Sequence, residues 1–348
     1  MKIIVDAMGG DNAPQAVVQG ALDACRRHGI HILLVGRAEE ILQCVEQCGE
    51  KTLPKGVEIR DAREVVEISD NPATAFKVKK DSSLTVGLNL LKDGAGDAFV
   101  SAGSTGAILA GATLLVKRIK GIRRAAMGPL IPVWGGKAVL CDCGATAECT
   151  AEYLLQFAYL GSFYAKRVLG KEQPKVGLLN IGAEEEKGDT LRHEAHALLK
   201  EASQAGRICY IGSVEANDVM MGKADVVVAD GFSGNILLKT MEGTAKLLMQ
   251  ELKKVFYANA GTKLGALLVK GKLGEMKKLM DPSEVGGTAF LGICKPVIKA
   301  HGSSDARAIT NAILRAKEYA ESGLIEAVEA NIADMKVERR RENGEEKA

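Results

Sequence analysis

Four short segments of the sequence bring glycine together with aspartate, serine, threonine or asparagine, directly after an apolar run. Glycine lets a backbone approach a ligand, and the start of a following helix offers unpaired N–H groups and a positive dipole to an anion. One such loop is also typical of ordinary caps and turns, but four predict a phosphate-sized anion site at the carboxyl edge of a parallel sheet. The segments are residues 6–12, 101–106, 142–146 and 230–235.

Thirteen residues in these segments, and in a later one at 301–305, are candidate phosphate or substrate contacts. Their backbone N–H groups, hydroxyls and carboxylates are the groups that bind or orient an anion at a helix start. They are Asp6, Gly9, Gly10, Asp11, Gly103, Ser104, Thr105, Gly106, Asp142, Ser233, Gly234, Ser303 and Ser304.

Two further residues bring a charged or titratable side chain to the same predicted edge. Lys187 stands in the glycine- and glutamate-rich stretch 180–189, just before a predicted helix. A lysine there neutralises a bound phosphate, although a solvated charged loop has the same composition. His301 precedes a glycine and two helix-capping serines, which makes it an exposed candidate acid, base or anion donor.

Several motifs are missing from the sequence, and their absence narrows the chemistry. No segment matches G-x-x-x-x-G-K-[ST], and none matches G-x-G-x-x-G with an acidic residue after the next strand, so ATP and dinucleotide sites lose support. None of the eight cysteines forms a C-x-x-C pair, which favours buried thiols over a metal site. The net charge of +2, without basic residues interleaved with aromatics, gives no indication of nucleic-acid binding. Free phosphate is the anion that this pattern favours.

The elements that must position these residues follow from an alternation of strand-like and helical patterns. The alternation predicts an α/β fold with a mostly parallel sheet and helices on both faces, and a hairpin between 125–133 and 137–142 makes the sheet mixed. We expect one catalytic unit over 1–335 with two lobes, then a charged tail at 336–348 that frays. The predicted strands are 2–6, 31–36, 57–60, 97–101, 138–142, 175–180, 207–212 and 225–229, and the predicted helices are 14–28, 38–48, 82–92, 104–117, 150–169, 189–204, 234–257 and 304–322.

Taken together, these motifs resemble one family, the bacterial phosphate acyltransferases of the PlsX type, from residue 2 to about residue 322. The opening stretch 6–14 (DAMGGDNAP) and the stretch 301–307 (HGSSDAR) are its most specific matches, and they occur in the family's order. Ser104 and Thr146 depart from the family pattern, since each stands where asparagine is expected and has a shorter side chain. The other matching stretches are 79–83, 101–103, 176–182 with Glu184 and Glu185, 230–231 and 234–235.

The resemblance implies a fold similar to the isocitrate and isopropylmalate dehydrogenases and to the phosphotransacetylases. It implies a cytoplasmic homodimer that needs no nucleotide, metal or organic cofactor. The implied reaction moves a long-chain fatty acyl group from acyl carrier protein to inorganic phosphate. The acyl phosphate would then pass to the membrane glycerol-3-phosphate acyltransferase that starts phospholipid synthesis, which calls for peripheral contact with the membrane.

A basic stretch between residues 246 and 278 fits that last requirement. It holds eight lysines and two glutamates, hence a net charge of +6 in a chain whose total is +2. Its leucines fall on one helical face, so we expect a protruding amphipathic helical segment over 246–280 that contacts anionic lipid, acidic acyl carrier protein or both. Packing of a helix pair against a partner subunit is the alternative. The candidate contacts are Lys263, Leu264, Leu267, Leu268, Lys270 and Lys272.

The implied reaction assigns roles to the candidate residues. Phosphate is already anionic at neutral pH, so the site needs positioning, charge balance and oxyanion donors more than a strong base. We expect backbone N–H groups of 103–106 and 233–235 to hold phosphate and Lys187 to balance its charge. Asn235 or His301 would stabilise the oxyanion or protonate the leaving sulfur, while the aspartates at 6, 11 and 142 orient these groups.

Other interpretations share part of this pattern. No G-x-S-x-G motif is present, which favours direct transfer, and a Cys141 or Cys143 nucleophile is the alternative. A phosphotransacetylase that uses acyl-CoA would have the same fold and phosphate site. A non-catalytic membrane-associated scaffold would bind lipid without turnover. A decarboxylating dehydrogenase keeps only the fold, since its arginine-rich acid site and metal-binding aspartates are missing.

Overall fold

The computed structural model of the chain describes residues 1–280 and 286–337, and within these ranges twelve strands form two mixed sheets. Most of the predicted charged tail at 336–348 lies outside the described residues. The strands are β1 (Lys2–Asp6), β2 (His31–Gly36), β3 (Val57–Asp61), β4 (Ala98–Ser101), β5 (Ala126–Gly128), β6 (Leu130–Val133), β7 (Gly136–Cys141), β8 (Lys175–Leu179), β9 (Cys209–Val214), β10 (Val226–Val228), β11 (Thr288–Leu291) and β12 (Val297–Lys299).

The helices alternate with these strands as the sequence pattern predicts, and the α/β class is confirmed. They are α1 (Gln15–His28), α2 (Ala38–Gln47), α3 (Ala75–Val78), α4 (Ser83–Lys92), α5 (Thr105–Gly111) with a π-helical turn at Ala112–Val116, α6 (Ala151–Val168), α7 (Thr190–Gln204), α8 (Ala216–Met220), α9 (Gly231–Tyr257), α10 (Ala260–Met280), α11 (Ala306–Glu321) and α12 (Leu324–Ala330).

The larger sheet has seven strands in the order β3-β2-β1-β4-β12-β11-β5. The first five are parallel, and β11 runs antiparallel to both β12 and β5. Successive residues of a strand point to opposite faces, so Ile3 and Val5 join the core beneath α1 and α11 while Ile4 joins the core beneath α4. The carboxyl ends of β1, β4 and β12 therefore meet at one edge.

The smaller sheet has five strands in the order β6-β7-β10-β8-β9, parallel except for the β6–β7 hairpin. The predicted hairpin is confirmed, but its first arm at 125–133 is divided between the two sheets. Pro129 separates β5 from β6. Because proline has no N–H to donate to a ladder, the run breaks there and each half pairs with a different sheet.

Helices α9 and α10 form a helical pair that packs together at the end of α9 remote from the sheets. Asn259 connects them, and its side chain accepts the Thr262 N–H at 2.9 Å while the Thr262 hydroxyl accepts the Asn259 N–H at 3.1 Å. This reciprocal capping starts α10. Apolar side chains remain exposed on the pair, among them Leu268 at 83%. The predicted helical pair is thus present, with α9 beginning well before residue 246.

Candidate active site

The loops after β1 and β4 are tied together by a buried carboxylate. Asp6 accepts the Ser101 hydroxyl at 2.6 Å and the Met8 N–H at 3.2 Å, and Ser101 Oγ in turn accepts the Gly103 N–H at 3.0 Å. A Cβ at Gly9 would lie 2.6 Å from Asp6 Oδ2 and 2.9 Å from Gly103 N, so only glycine fits. Burial raises the pKa of Asp6, although these hydrogen bonds oppose the rise. Asp6 therefore holds the two loops together, and its role toward a ligand stays a prediction.

The loop after β12 joins the same assembly and carries His301. The Asp11 N–H donates to the Gly302 carbonyl at 2.8 Å, which ties it to the opening loop. His301 Nδ1 accepts the Ser303 N–H at 3.3 Å and lies 2.9 Å from Ser303 Oγ. In a neutral ring this leaves Nε2 as the N–H donor. Burial, and then the nearby Lys299 ammonium, lower the pKa of His301, so the neutral ring is the form present at pH 7.

A second buried carboxylate organises the loop after β7. Asp142 accepts the N–H groups of Met127 at 2.8 Å, Ala145 at 2.9 Å and Thr146 at 2.7 Å. Burial raises its pKa despite these donors. Thr146 stands where the family pattern has the longer asparagine. Among the described residues its backbone N–H, and not its side chain, binds Asp142. Like Asp6, Asp142 orients a loop.

The first turn of α9 is anchored by Asp230. Its carboxylate accepts the Phe232 and Ser233 N–H groups at 3.0 and 2.9 Å and the Ser233 hydroxyl at 2.9 Å, and it forms an ion pair with Arg192. Burial works against ionisation, but the bonds from Ser233 and the charge of Arg192 outweigh it and lower the pKa of Asp230. Arg192 also donates to Ser233 Oγ at 3.0 Å, so this serine is engaged within the protein.

Glycine at 234 then sets how closely α9 approaches the Asp142 loop. A Cβ there would lie 1.9 Å from the Asp142 carbonyl oxygen, so no other residue fits without moving the helix. The close contact brings the next residue, Asn235, beside Gly144. A Cβ added at Gly144 would lie 4.0 Å from Asn235 Oδ1. Asn235 thereby reaches the space between the edges of the two sheets.

That space is a cavity of about 780 Å³, and four of the predicted residues line it. They are Thr105, Asn235, His301 and Ser304. Three charged residues that the sequence pattern did not single out line it as well, namely Lys239, Glu242 and Lys299. The structure thus brings together the starts of α5 and α9 and the segment that leads into α11, each of which comes from one of the predicted loops.

Lys299 is the most informative of the residues that the sequence did not reveal. It ends the apolar strand β12, two residues before His301, and is half-buried. Within the described residues its ammonium has no hydrogen-bonded or ion-paired partner, whereas Lys239 pairs with Glu242 at 2.8 Å. Burial and then the charge of Lys239 lower the pKa of Lys299. An anion in the cavity would supply the partner that this ammonium lacks.

The remaining predicted residues stand behind the cavity wall or away from it. Lys187 is exposed on the loop after β8, where its N–H donates to the Glu184 carbonyl at 3.2 Å and its carbonyl accepts the Asn180 side chain at 2.9 Å. It does not line the cavity, and its catalytic role stays a prediction. The others outside the lining are Asp6, Gly9, Gly10, Asp11, Gly103, Ser104, Gly106, Asp142, Ser233, Gly234 and Ser303.

The cysteines nearest the site are poor nucleophile candidates. Burial raises the pKa of Cys141 and Cys143 well above that of an ordinary thiol, and raises the pKa of Cys149 to about 12. Only the thiolate is nucleophilic, so these side chains act as small apolar groups, although Cys143 lines the cavity. Within residues 1–280 and 286–337, no group of three His, Cys, Asp or Glu side chains has the spacing of a metal site.

Much of the cavity wall is apolar. The strand β6 and the helix α9 contribute Leu130, Ile131, Leu238 and Met241 to it. A cavity wall with both cationic and apolar side chains suits a ligand with a charged head and a hydrocarbon chain.

The predicted membrane or carrier-protein contacts lie on α10, outside the cavity. Leu264, Leu267 and Leu268 are 63%, 67% and 83% exposed, and Lys263 and Lys270 are exposed beside them. Lys272 is exposed as well, one turn beyond Leu268. In the described part of the chain, none of the helices is both long enough and apolar enough to cross a bilayer.

Comparison with known proteins gives the following matches. The chain matches the family described as "Fatty acid synthesis protein" over residues 1–327. It is 46% identical over 336 residues to a protein of Thermoanaerobacter pseudethanolicus named phosphate acyltransferase, which covers 96% of this chain and 98% of that protein. A protein of the same name from Acetivibrio thermocellus is 43% identical over 339 residues, with 97% and 98% covered.

Solved structures share the fold at low identity. A phosphotransacetylase from Streptococcus pyogenes has a TM-score of 0.64 and 17% identity, covering 92% of this chain and 94% of that one. A 4-hydroxythreonine-4-phosphate dehydrogenase from Klebsiella pneumoniae has a TM-score of 0.53 and 14% identity, covering 92% and 99%. The expected likeness to phosphotransacetylases is confirmed at the level of the fold.

Proposed function

The chain belongs to the phosphate acyltransferase family, and from this premise we propose that it transfers a long-chain fatty acyl group from acyl carrier protein to inorganic phosphate. The observation that carries the proposal is one cavity whose wall contains both cationic and apolar side chains. Phosphate binds at the cationic side chains, and the acyl chain lies along the apolar ones. The protein's own residues suffice for this chemistry, so we propose no cofactor.

The transfer is a direct displacement at the thioester carbonyl. An oxygen of hydrogen phosphate attacks the carbonyl carbon, the C–S bond breaks, and the thiolate of the carrier's prosthetic group leaves and takes up the proton that hydrogen phosphate gives up. Lys299 and Lys239 balance the phosphate charge, and backbone N–H groups at the start of α5 position it, because those of Phe232 and Ser233 at the start of α9 already donate to Asp230. Asn235 and the Nε2–H of His301 are the donors nearest the developing oxyanion, and one such donor is worth roughly 10²–10³ in rate.

Acyl-CoA is the alternative donor, favoured by the shared fold with a phosphotransacetylase. One assay separates the two donors and tests the function itself. Purified protein and phosphate are incubated with long-chain acyl carrier protein in one set of tubes and acyl-CoA in another, and acyl phosphate is trapped with hydroxylamine. We expect hydroxamate from the carrier-protein donor. Hydroxamate from acyl-CoA alone would show that the protein is a phosphotransacetylase. No hydroxamate from either donor would favour a non-catalytic scaffold.

We propose further that the helical pair of α9 and α10 holds the enzyme reversibly on anionic membrane, where its product is used by the glycerol-3-phosphate acyltransferase. The support is the exposed apolar face of α10 flanked by lysines, a composition typical of helices that lie on a charged lipid surface. The same basic surface suits the acidic carrier protein. We also propose a homodimer, which sedimentation equilibrium would test directly.

The membrane contact has a matched pair of variants. Leu268→Glu places a charge on the most exposed leucine of α10, and Gln250→Glu adds the same charge at an exposed polar position of α9. We expect Leu268→Glu to abolish flotation with phosphatidylglycerol vesicles and Gln250→Glu to weaken it only slightly, with soluble acyl transfer intact in both. Equal flotation of Leu268→Glu and wild type would refute the proposed membrane contact through α10.

A further inference from the structure

The cavity lies on both sides of α9 as well as beneath it. An α-helix turns about 100° per residue, so the α9 residues in the cavity wall fall into three stripes. Asn235, Lys239 and Glu242 form one flank, and Leu237, Thr244 and Leu248 form the opposite flank. Between these flanks lies a middle stripe formed by Leu238, Met241 and Ala245.

The orientation of α9 shows which of these stripes faces the sheets. Phe232, Ile236 and Leu247 are 65%, 51% and 58% exposed, and on the helix they lie opposite the middle stripe. The middle stripe is half-buried or partly covered, since Leu238, Met241 and Ala245 all have intermediate exposure. It therefore faces the strands, and the cavity passes between it and β6.

The two flanks of α9 differ in chemistry. The Asn235 flank carries Lys239 and Glu242, whose charges act on His301 together with that of Lys299. The opposite flank carries Leu237, Thr244 and Leu248 and has no charged residue in the cavity wall. An acyl chain joined to a reacting carbonyl matches this pairing of a charged flank with an apolar one.

We propose that the acyl chain threads beneath α9, with its carbonyl at Asn235 and its methyl end toward Leu248, and that the middle stripe measures its length. This proposal rests on the proposed function. The α9 residues from 235 to 248 advance about 20 Å at ~1.5 Å per residue. Carbon–carbon bonds of about 1.5 Å in a zigzag advance ~1.3 Å per carbon, so roughly sixteen carbons fill that distance.

Beyond Leu248, α9 continues toward the surface proposed to contact the membrane. Leu248 is 49% exposed, and beyond it on the helical pair Val255, Tyr257 and Leu264 are 60%, 64% and 63% exposed. Chains of about sixteen carbons or more would therefore end near exposed apolar side chains, while shorter chains would end against the middle stripe.

Two tryptophan variants at different positions along α9 test whether the middle stripe determines the length of the acyl chain. Leu238→Trp blocks the passage near the carbonyl end, and Ala245→Trp blocks it seven residues further on, a difference of about 10 Å or roughly eight carbons. Leu247→Trp, on the exposed outer face, is the control. Each protein is assayed for kcat/KM with acyl carrier protein donors from four to eighteen carbons. We expect a fall of at least tenfold beyond a cutoff that is about eight carbons longer in Ala245→Trp than in Leu238→Trp, and no cutoff in the control.

Other outcomes are equally decisive. A common cutoff in the two variants, or an equal loss at all chain lengths, would overturn the threading path. The smaller change Ala245→Leu guards against a folding defect, because it should lower transfer of only the longest donors while the melting temperature stays at the wild-type value. Failure of the proposed function looks different, since wild type would then form no acyl phosphate from any donor.

Discussion

Replacing Lys299 by methionine removes its charge but keeps a side chain of similar length and apolar stem. The ammonium lines the cavity half-buried and without an ion-pair partner among the described residues. A hydrogen bond to a charged group contributes about 1.5–3 kcal/mol, and 1.4 kcal/mol is about a factor of ten. We therefore expect kcat/KM for phosphate to fall about 10- to 100-fold. Lys239→Met should cost less, because Glu242 already balances that charge.

The pH dependence gives a second measure of the same residue. Burial and Lys239 lower the pKa of Lys299. Lys299 is therefore fully protonated at pH values well below this lowered pKa and loses its positive charge as the pH rises through it. Phosphate binding should weaken at a less alkaline pH than an ordinary lysine would allow, and Lys299→Arg should move that loss upward because arginine stays charged. Stability should respond in the opposite direction from activity, since Lys299→Met removes a desolvated charge and should leave the melting temperature equal or higher.

The assay follows thiol release from acyl carrier protein with a chromogenic thiol reagent while phosphate is varied. Lys295→Met is the matched control, because Lys295 is exposed and lies only four residues away, in the segment that precedes β12. A Lys299→Met enzyme within twofold of wild type in kcat/KM for phosphate would refute the assignment. So would an equal loss in the Lys295 control.

Three further predictions test other parts of the site. Gly234→Ala places a Cβ 1.9 Å from the Asp142 carbonyl oxygen, so we expect a loss of about 1–3 kcal/mol in the free energy of unfolding, measured by urea denaturation. Gly243→Ala, with nothing within 4 Å of its Cβ, should instead gain up to about 1 kcal/mol, and similar values for the two would contradict the close contact. Lys187→Ala should sharply reduce phosphate-dependent acyl release if the loop after β8 closes on the ligand; normal turnover would remove Lys187 from the mechanism. For His301, burial and Lys299 lower the pKa below the ordinary histidine value of about 6.5. Protonation at Nδ1 removes the acceptor that holds the Ser303 N–H and orients the ring, so activity should decline only below that pH. His301→Gln, which keeps an N–H donor, should lose that acid limb, and an unchanged pH profile would assign the limb to another group.

Local patterns predicted the elements well because each depends on neighbours in sequence. The strands at 2–6 and 31–36 match β1 and β2 to the residue, and the helix expected at 234–257 begins three residues earlier, where Asp230 caps it. The pattern could not divide the strands between two sheets, because strand partners are set by long-range pairing. Only Pro129, in hindsight, marks the division. The strand expected at 207–212 forms two residues later, as Cys209–Val214.

The site was predicted in part for a similar reason. Asn235 and His301 stand in glycine-rich, helix-starting contexts that signal function locally, and both line the cavity. Lys299 ends an apolar strand, where a lysine is usually a solvated terminus. The charges that act on it include those of Lys239 and Glu242, which are about 60 residues away in sequence. Arg192 is likewise bound to Asp230 across 38 positions. No local pattern contains these pairings.

Helix α9 is one uninterrupted rod of 27 residues whose base is fixed and whose far end is free of the sheets. Its first turn is the pivot, because it is held by the close contact of Gly234 with the Asp142 carbonyl and by the ion pair of Asp230 with Arg192. Asn235 lies about 6 Å from Gly231 along the axis and Tyr257 about 39 Å, at ~1.5 Å per residue. A sideways displacement of the far end thus reaches Asn235 reduced about sixfold. Leverage of this kind lets the outer end follow an undulating surface while the reacting atoms stay nearly still.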